Sequence, residues 1–433
     1  MSLLGSQVIR QSMAVLSIGC TSTLDLGHTA HEFEPPGAPD EIGEPFDAGD
    51  ASVPKPDGNQ DEFLASVGRW PQFGFDGAQT RHNPDETQIS PENVSDLELL
   101  WSTSINCSFY GCPIVADGLV HMGTYCGEIA ALHTRSGTVA WKRRAMGGAV
   151  GTPLVANGMV YYGERDQRRL AAFDAKSGRT VWTSTTYSEI GDRSPALWNG
   201  LLIQTDPMVT YGFDAATGAQ RWTRSVGAVG RVSPATSEGV FYLSNLGGQL
   251  IALRAVDGTI LWTGAIGEIG NSFPAVDENT GTVFVSSTDR RLYAFSTQGC
   301  RDSPCGPAWW GALEQAGGEN GVAVGDGKVY AGAGRILHAF DAHGCGQREC
   351  TPIWSAAFGD RIRTAPALAN GLLYFGTDEN VLYAVDARNG WVRWSYPMLG
   401  LLRQFDASVT VVDGVVYAAP TYSSELYAFR RRI

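Results

Sequence analysis

The chain has 433 residues, 43% of them hydrophobic and 18% charged, with 53 Gly and 12 Trp. That hydrophobic share excludes a chain disordered throughout. A net charge of −13 excludes the basic face that a nucleic-acid binder needs. No run of about 18 apolar residues exists, so no spanning helix is expected.

The N-terminus reads as an export signal. Arg10 precedes the short apolar run Met13-Ala14-Val15-Leu16-Ser17-Ile18-Gly19, which ends at Cys20. A basic residue, an apolar segment and small residues before a Cys resemble a bacterial lipoprotein signal, in which the Cys becomes the lipidated first residue. The run is short for a signal, and Ser17 stands where Leu is usual. Residues 1–20 are therefore expected to be the signal and Cys20 the lipid anchor, with acyl chains holding the protein at a membrane. Residues 21–68 read as a tether: Pro35, Pro36, Pro39, Pro45, Pro54 and Pro56 stand among about ten acids, against which only Lys55 is basic. Such a segment cannot bury enough apolar surface to fold. Asp57, Asn59 and Asp61 imitate the start of a calcium loop, but Glu62 and Gly68 stand where that loop needs Gly and Glu.

Residues 69–433 carry a repeat. Trp recurs at 101, 141, 182, 222, 262, 310, 354 and 394, about every 40 residues. Around it, Pro153-Leu-Val-Ala-Asn157-Gly158 leads to Asp174-Ala-Lys-Ser-Gly178 and Trp182, and Pro366 to Trp394 repeats that order. Asn-Gly or Asp-Gly at 117, 157, 199, 326, 370 and 413 marks a two-residue hairpin between the first two strands. Asp-x-x-x-Gly marks the turn between the third and fourth. Four strands per unit, repeated, predict an all-β, eight-bladed β-propeller. Trp101 lacks three strands of its own before it, and Ala407–Arg430 lacks a fourth strand. Leu97–Trp101 is therefore expected to complete the last blade and close the ring.

With its opening Trp70-Pro71-Gln72-Phe73-Gly74, the Ala-x-Asp-x-x-x-Gly-x-x-x-Trp repeat resembles the PQQ-like repeat propellers. That family includes the quinoprotein dehydrogenases and BamB-type lipoproteins of outer-membrane assembly, and the resemblance covers residues 69–433. The dehydrogenases carry an adjacent Cys pair, long inserted loops and a calcium or lanthanide site at the axial end. This chain has no adjacent Cys pair, so none of their active-site residues is carried over.

Cys107/Cys112, Cys300/Cys305 and Cys345/Cys350 each enclose four residues, with Cys126 in addition. In an exported chain they read as disulfides, with Cys112–Cys126 as an alternative to Cys107–Cys112; zinc sites on separate blades are disfavoured. The position three before each repeat Pro begins an inner strand near the axis. It holds Tyr110, Val150, Asp192, Arg231, Asn271, Glu319, Arg363 and Asp406. These form either a polar binding site for an anion, a carboxylate or a metal, or a set of mutually neutralising ion pairs around a water-filled channel. The seven His are scattered, and His121 and His338 are expected to be packed or exposed rather than ligands.

The expectation is a monomeric, non-catalytic envelope scaffold without cofactor or metal. By resemblance it would bind an envelope partner such as the barrel-assembly machinery and be held to the outer membrane by its anchor. The alternatives are a dehydrogenase of small alcohols or sugars using PQQ with calcium, or a ligand-binding surface sensor.

Overall fold

A computed structural model describes residues 68–432 apart from 106, 110, 145–150, 165–166, 192, 268–271, 302, 316–320, 399–408 and 421–422. The expected signal, tether and Cys20 lie outside the described residues. Eight antiparallel four-stranded units follow one another around a ring, two of them extended by a fifth short strand. Among the described residues the one helix is the 3-10 turn Val94–Asp96. Blade 2 shows the pattern: Leu154–Ala156 is innermost, followed by Met159–Glu164, Arg169–Asp174 and Thr180–Thr185. Its first two strands join at Asn157 and Gly158, whose φ values of 51° and 72° match a type I′ turn. The same turn recurs at the five other expected pairs, and also at Glu238-Gly239, where no Asn or Asp announces it.

Ring closure is as expected. Leu97–Ser104 pairs antiparallel with Glu425–Arg431, with Trp101 opposite Ala428, so the last blade combines both ends of the repeat region. Blade joints are built from the repeat Trp. Trp141 lies opposite the small Ala131, and its indole Nε1 donates to Ala175 O of the next blade at 2.9 Å. Its ring also covers Gly178, where an added Cβ would meet Trp141 Cε3 at 2.6 Å. Because Gly178 has φ +65°, both the turn and the close approach demand Gly.

Blade 5 departs from the expected Trp. Trp309, not Trp310, lies opposite a small residue, Ala294. Trp309 is 5% exposed and covers the next blade's Gly344. Trp310 points to the other face, where the Arg291 guanidinium lies 4.3 Å from its ring centroid. Side chains alternate along a strand, so a one-residue shift exchanges buried and outer faces.

Three disulfides occur among the described residues. Cys300–Cys305 and Cys345–Cys350 form as expected. Each stapled turn also pairs with the outer strand of the preceding blade, through Gly264 and Cys305 and through Trp310 and Glu349. The third pairing corrects both sequence alternatives: Cys107 bonds Cys126, with Cα atoms 6.1 Å apart. The bridge Phe109–Thr124 brings the two loops side by side. Cys112 lies beyond it, buried at the start of the first inner strand, where its N–H donates to Thr152 Oγ1 of the next blade.

Candidate functional site: the axial channel

Inner strands present an unpaired edge to the ring axis, and Trp70–Asn83 occupies that edge. The segment meets seven of the eight inner strands in turn. Trp70 exchanges two backbone hydrogen bonds with Val115. Pro71 O accepts from Val155 N, Gly77 O from Thr236 N, and Ala78 O from Val276 N. Thr80 O accepts from Val324 N and Arg81 O from Leu368 N, and Asn83 Nδ2 donates to Val411 O. Each partner is the second residue after the repeat Pro or its equivalent. The segment thus forms a floor at one level of the channel. Buried Trp70, edge-on to Phe75 with centroids 5.1 Å apart, anchors its start.

Arg81 rises from this floor. It is 1% exposed, and its guanidinium carbon lies 4.3 Å from the Phe73 centroid and 5.8 Å from that of Phe273. An added Cβ on Gly321 would stand 2.8 Å from its Nη2. The Cys112 thiol and the Asp76 carboxyl act on it electrostatically. Cys112, Phe273 and Gly321 all occupy the position just before the repeat Pro or its equivalent, two residues beyond the mouth position. At that position blades 2, 3 and 4 carry Thr152, Ser194 and Ser233, whose hydroxyls each accept an N–H from the preceding blade. Around Arg81 this hydroxyl belt is replaced by a thiol, a ring and a bare backbone.

The guanidinium is under-satisfied. Among the described residues, Nε, Nη1 and Nη2 have no hydrogen-bond partner. Burial lowers its pKa to about 10, which leaves it charged at neutral pH. A desolvated cation–π contact offers about 2 kcal/mol or somewhat more, whereas burying an unpaired ion costs several kcal/mol. Three residues of the floor, Phe75, Gln79 and Arg81, have φ values of 77°, 56° and 54°. Each costs of order 1 kcal/mol, and such strain persists only where surrounding contacts over-determine it. Burial also pushes the Asp76 carboxyl up to about 6, despite hydrogen bonds from Thr80 N and Oγ1.

Of the eight expected mouth positions, Tyr110, Val150, Asp192, Asn271, Glu319 and Asp406 lie outside the described residues. Arg231 is exposed ahead of the fourth inner strand. Arg363 is half-buried, and its Nε donates to Asp378 Oδ1 at 2.7 Å. His121 and His338 are packed, as expected; His121 is lowered to about 4 by burial. Sequence reading missed Arg81 because the residue precedes the repeat; the neighbouring Trp70–Gly74 motif was the available signal.

A family model described as outer membrane protein assembly factor BamB, built of PQQ-type repeats, matches residues 93–202, 206–302 and 300–432. The chain belongs to this PQQ-repeat propeller family. Among curated relatives of this PQQ-repeat propeller, the quinohemoprotein alcohol dehydrogenase of Comamonas testosteroni is 30% identical over 202 residues, which are 40% of this chain and 28% of that one. BamB of Yersinia pestis is 32% identical over 94 residues, 22% of this chain and 23% of that one. Among solved structures, a europium-containing methanol dehydrogenase superposes with a TM-score of 0.71 at 14% identity, covering 85% of this chain and 99% of that one. That likeness shows the fold. The matched stretch spans little more than a quarter of the alcohol dehydrogenase's length.

These matches overturn two expectations. The non-catalytic scaffold gives way because, among the curated relatives, alcohol dehydrogenases match a longer stretch of the chain than BamB of Yersinia pestis does. The expectation of no cofactor falls with it, since the matched enzymes are named as quinone-dependent. The described channel residues do not form a slot for the organic part of such a group: Phe73 and Phe273 touch each other, centroids 4.7 Å apart, and the unpartnered Arg81 guanidinium lies enclosed beside them. Among the described residues, no cluster of three His, Cys, Asp or Glu could hold a metal ion. Disulfides between blade turns and loops agree with export to an oxidising compartment.

Proposed function

We propose that this propeller oxidises small alcohols with pyrroloquinoline quinone bound in the mouth of its axial channel. The reading rests on the 202-residue match to a quinohemoprotein alcohol dehydrogenase. When bound, the quinone would accept two electrons from the alcohol carbon. Arg231 would add positive charge at the entrance. The floor segment would keep bulk water from entering through the far end. Asp192, Glu319 and Asp406 are the acids to test as acceptor of the hydroxyl proton, a role that needs a carboxylate within hydrogen-bond reach of the substrate. Export, with Cys20 as lipid anchor and the propeller acting as a monomer, completes the proposal.

The test is titration of the full chain with pyrroloquinoline quinone, with and without Ca²⁺, followed by Trp fluorescence. Saturable one-to-one binding near micromolar, about −8 kcal/mol, with dye-linked oxidation of a short alcohol is expected. No saturable binding under either condition overturns the reading.

A further inference from the structure

We propose that residues 58–67, which lead into the floor, strap the closing blade by docking in a groove on the hairpin face of the ring. The groove has a volume of about 830 Å³ and runs between residues 87–93 on one side and the blade 1 turn at Arg135 on the other. Leu100, Val412, Val415 and Tyr417 of the closing blade give it an apolar bed. Leu100 is the extra residue of a bulge between Leu99 and Trp101 and is only half-buried. Arg135, Arg430 and Arg431 line the groove as well, and all three are exposed. Their side chains make no ion pair or hydrogen bond among the described residues, although Glu98 stands opposite Arg430 in the pairing. Against them the described lining sets one carboxylate, Asp413.

That carboxylate marks where the chain enters. Gly68 lines the groove at its axial end, and an added Cβ on it would stand 2.5 Å from Asp413 Oδ2. The sequence just before it, Asp61-Glu62-Phe63-Leu64-Ala65-Ser66-Val67, matches the groove in order. Three strand spacings separate the inner strand Thr410–Val412 from the outer strand Leu97–Ser104, about 14 Å in all. An extended chain advances about 3.3 Å per residue, so four or five residues cross the bed. Leu64 and Phe63 then come over Leu100, and Glu62 and Asp61 reach the rim, where Arg430 and Arg431 end the third strand. Attachment at Gly68 gives this segment an effective concentration that a free acidic peptide lacks. Docked there, it covers apolar surface of the blade that closes the ring and neutralises its arginines.

The experiment is amide hydrogen exchange on the full chain and on its D61K/E62K, F63S/L64S and R430E/R431E variants, with melting curves for each. In the wild type, residues 60–67 are expected to exchange about 10-fold or more slowly than residues 30–55. D61K/E62K and F63S/L64S should each bring them towards the rate of 30–55, and R430E/R431E should do the same. Joining D61K/E62K to R430E/R431E restores the charge pairing and should restore protection, which a general loss of structure would not do. Equal exchange of 60–67 and 30–55 in the wild type overturns the proposal. So does protection that survives in both D61K/E62K and F63S/L64S. Protection of the groove strands that rises with protein concentration while 60–67 stays fast gives the groove to a second copy, and also overturns it. Should R430E/R431E fail to fold, D61K/E62K and F63S/L64S, which leave the propeller untouched, decide.

Discussion

A blade completes itself within about 40 residues, by hairpins and one Trp that reaches the next turn; the floor segment Trp70–Asn83 completes nothing by itself. Its hydrogen bonds run to seven inner strands, out to Val411 on the far side of the ring. Blades carry their instructions in a pattern that can be read eight times. The floor carries its own once, in residues whose conformation only the assembled ring supports. Local redundancy makes the blades robust, and non-local dependence lets the floor place a charged side chain where no isolated hairpin could hold it.

The comparison is broken most severely by opening the ring. Deleting residues 97–104 removes the closing strand of the last blade and leaves an unpaired sheet edge. Loss of the cooperative thermal transition by circular dichroism is expected, and the floor should become protease-sensitive with it; unchanged melting would refute the dependence of floor on ring.

A smaller effect separates two neighbours within one blade. W309A should cost about 3–5 kcal/mol, as for a buried Trp truncated to Ala, because Trp309 fills the joint to Gly344. W310A removes the contact with Arg291 and half-buried packing against the cluster around Trp262 and Tyr293, and should cost less, about 1–2 kcal/mol. Denaturant melts read both, and equal losses would return Trp310 to the joint.

The smallest effect sharpens the contrast between blade and floor through pH. His121 in blade 1 is lowered from 6.5 to about 4 by burial. The unfolded chain therefore binds the extra proton between pH 6.5 and 4, and this term loses stability as pH falls through that window, by about 3 kcal/mol at most. Asp76 in the floor is raised from 3.8 to about 6. Here the folded chain binds the extra proton, so this term loses stability as pH rises from 3.8 to 6, by a similar upper bound. H121Q should flatten one slope and D76N the other in stability curves measured from pH 4 to 7. Changes of the same sign would contradict the two burial environments.

Sequence alone was enough for the repeat, the number of blades, the two-residue hairpins and closure of the ring, because each follows from contacts between residues close in the chain or from a pattern repeated until its period is plain. It also reached the Cys300–Cys305 and Cys345–Cys350 staples, whose partners share one turn. It did not reach Trp309, since two adjacent Trp read alike until pairing opposite Ala294 decides which faces the joint. Nor did it reach Cys107–Cys126, which depends on two loops laid side by side by the bridge from Phe109 to Thr124. Arg81 shows the limit most plainly. In the sequence it is one Arg in a polar stretch; only the tertiary structure brings it beside residues 112, 273 and 321. A closed ring makes neighbours on its axis of residues from every blade, and no local pattern records that convergence.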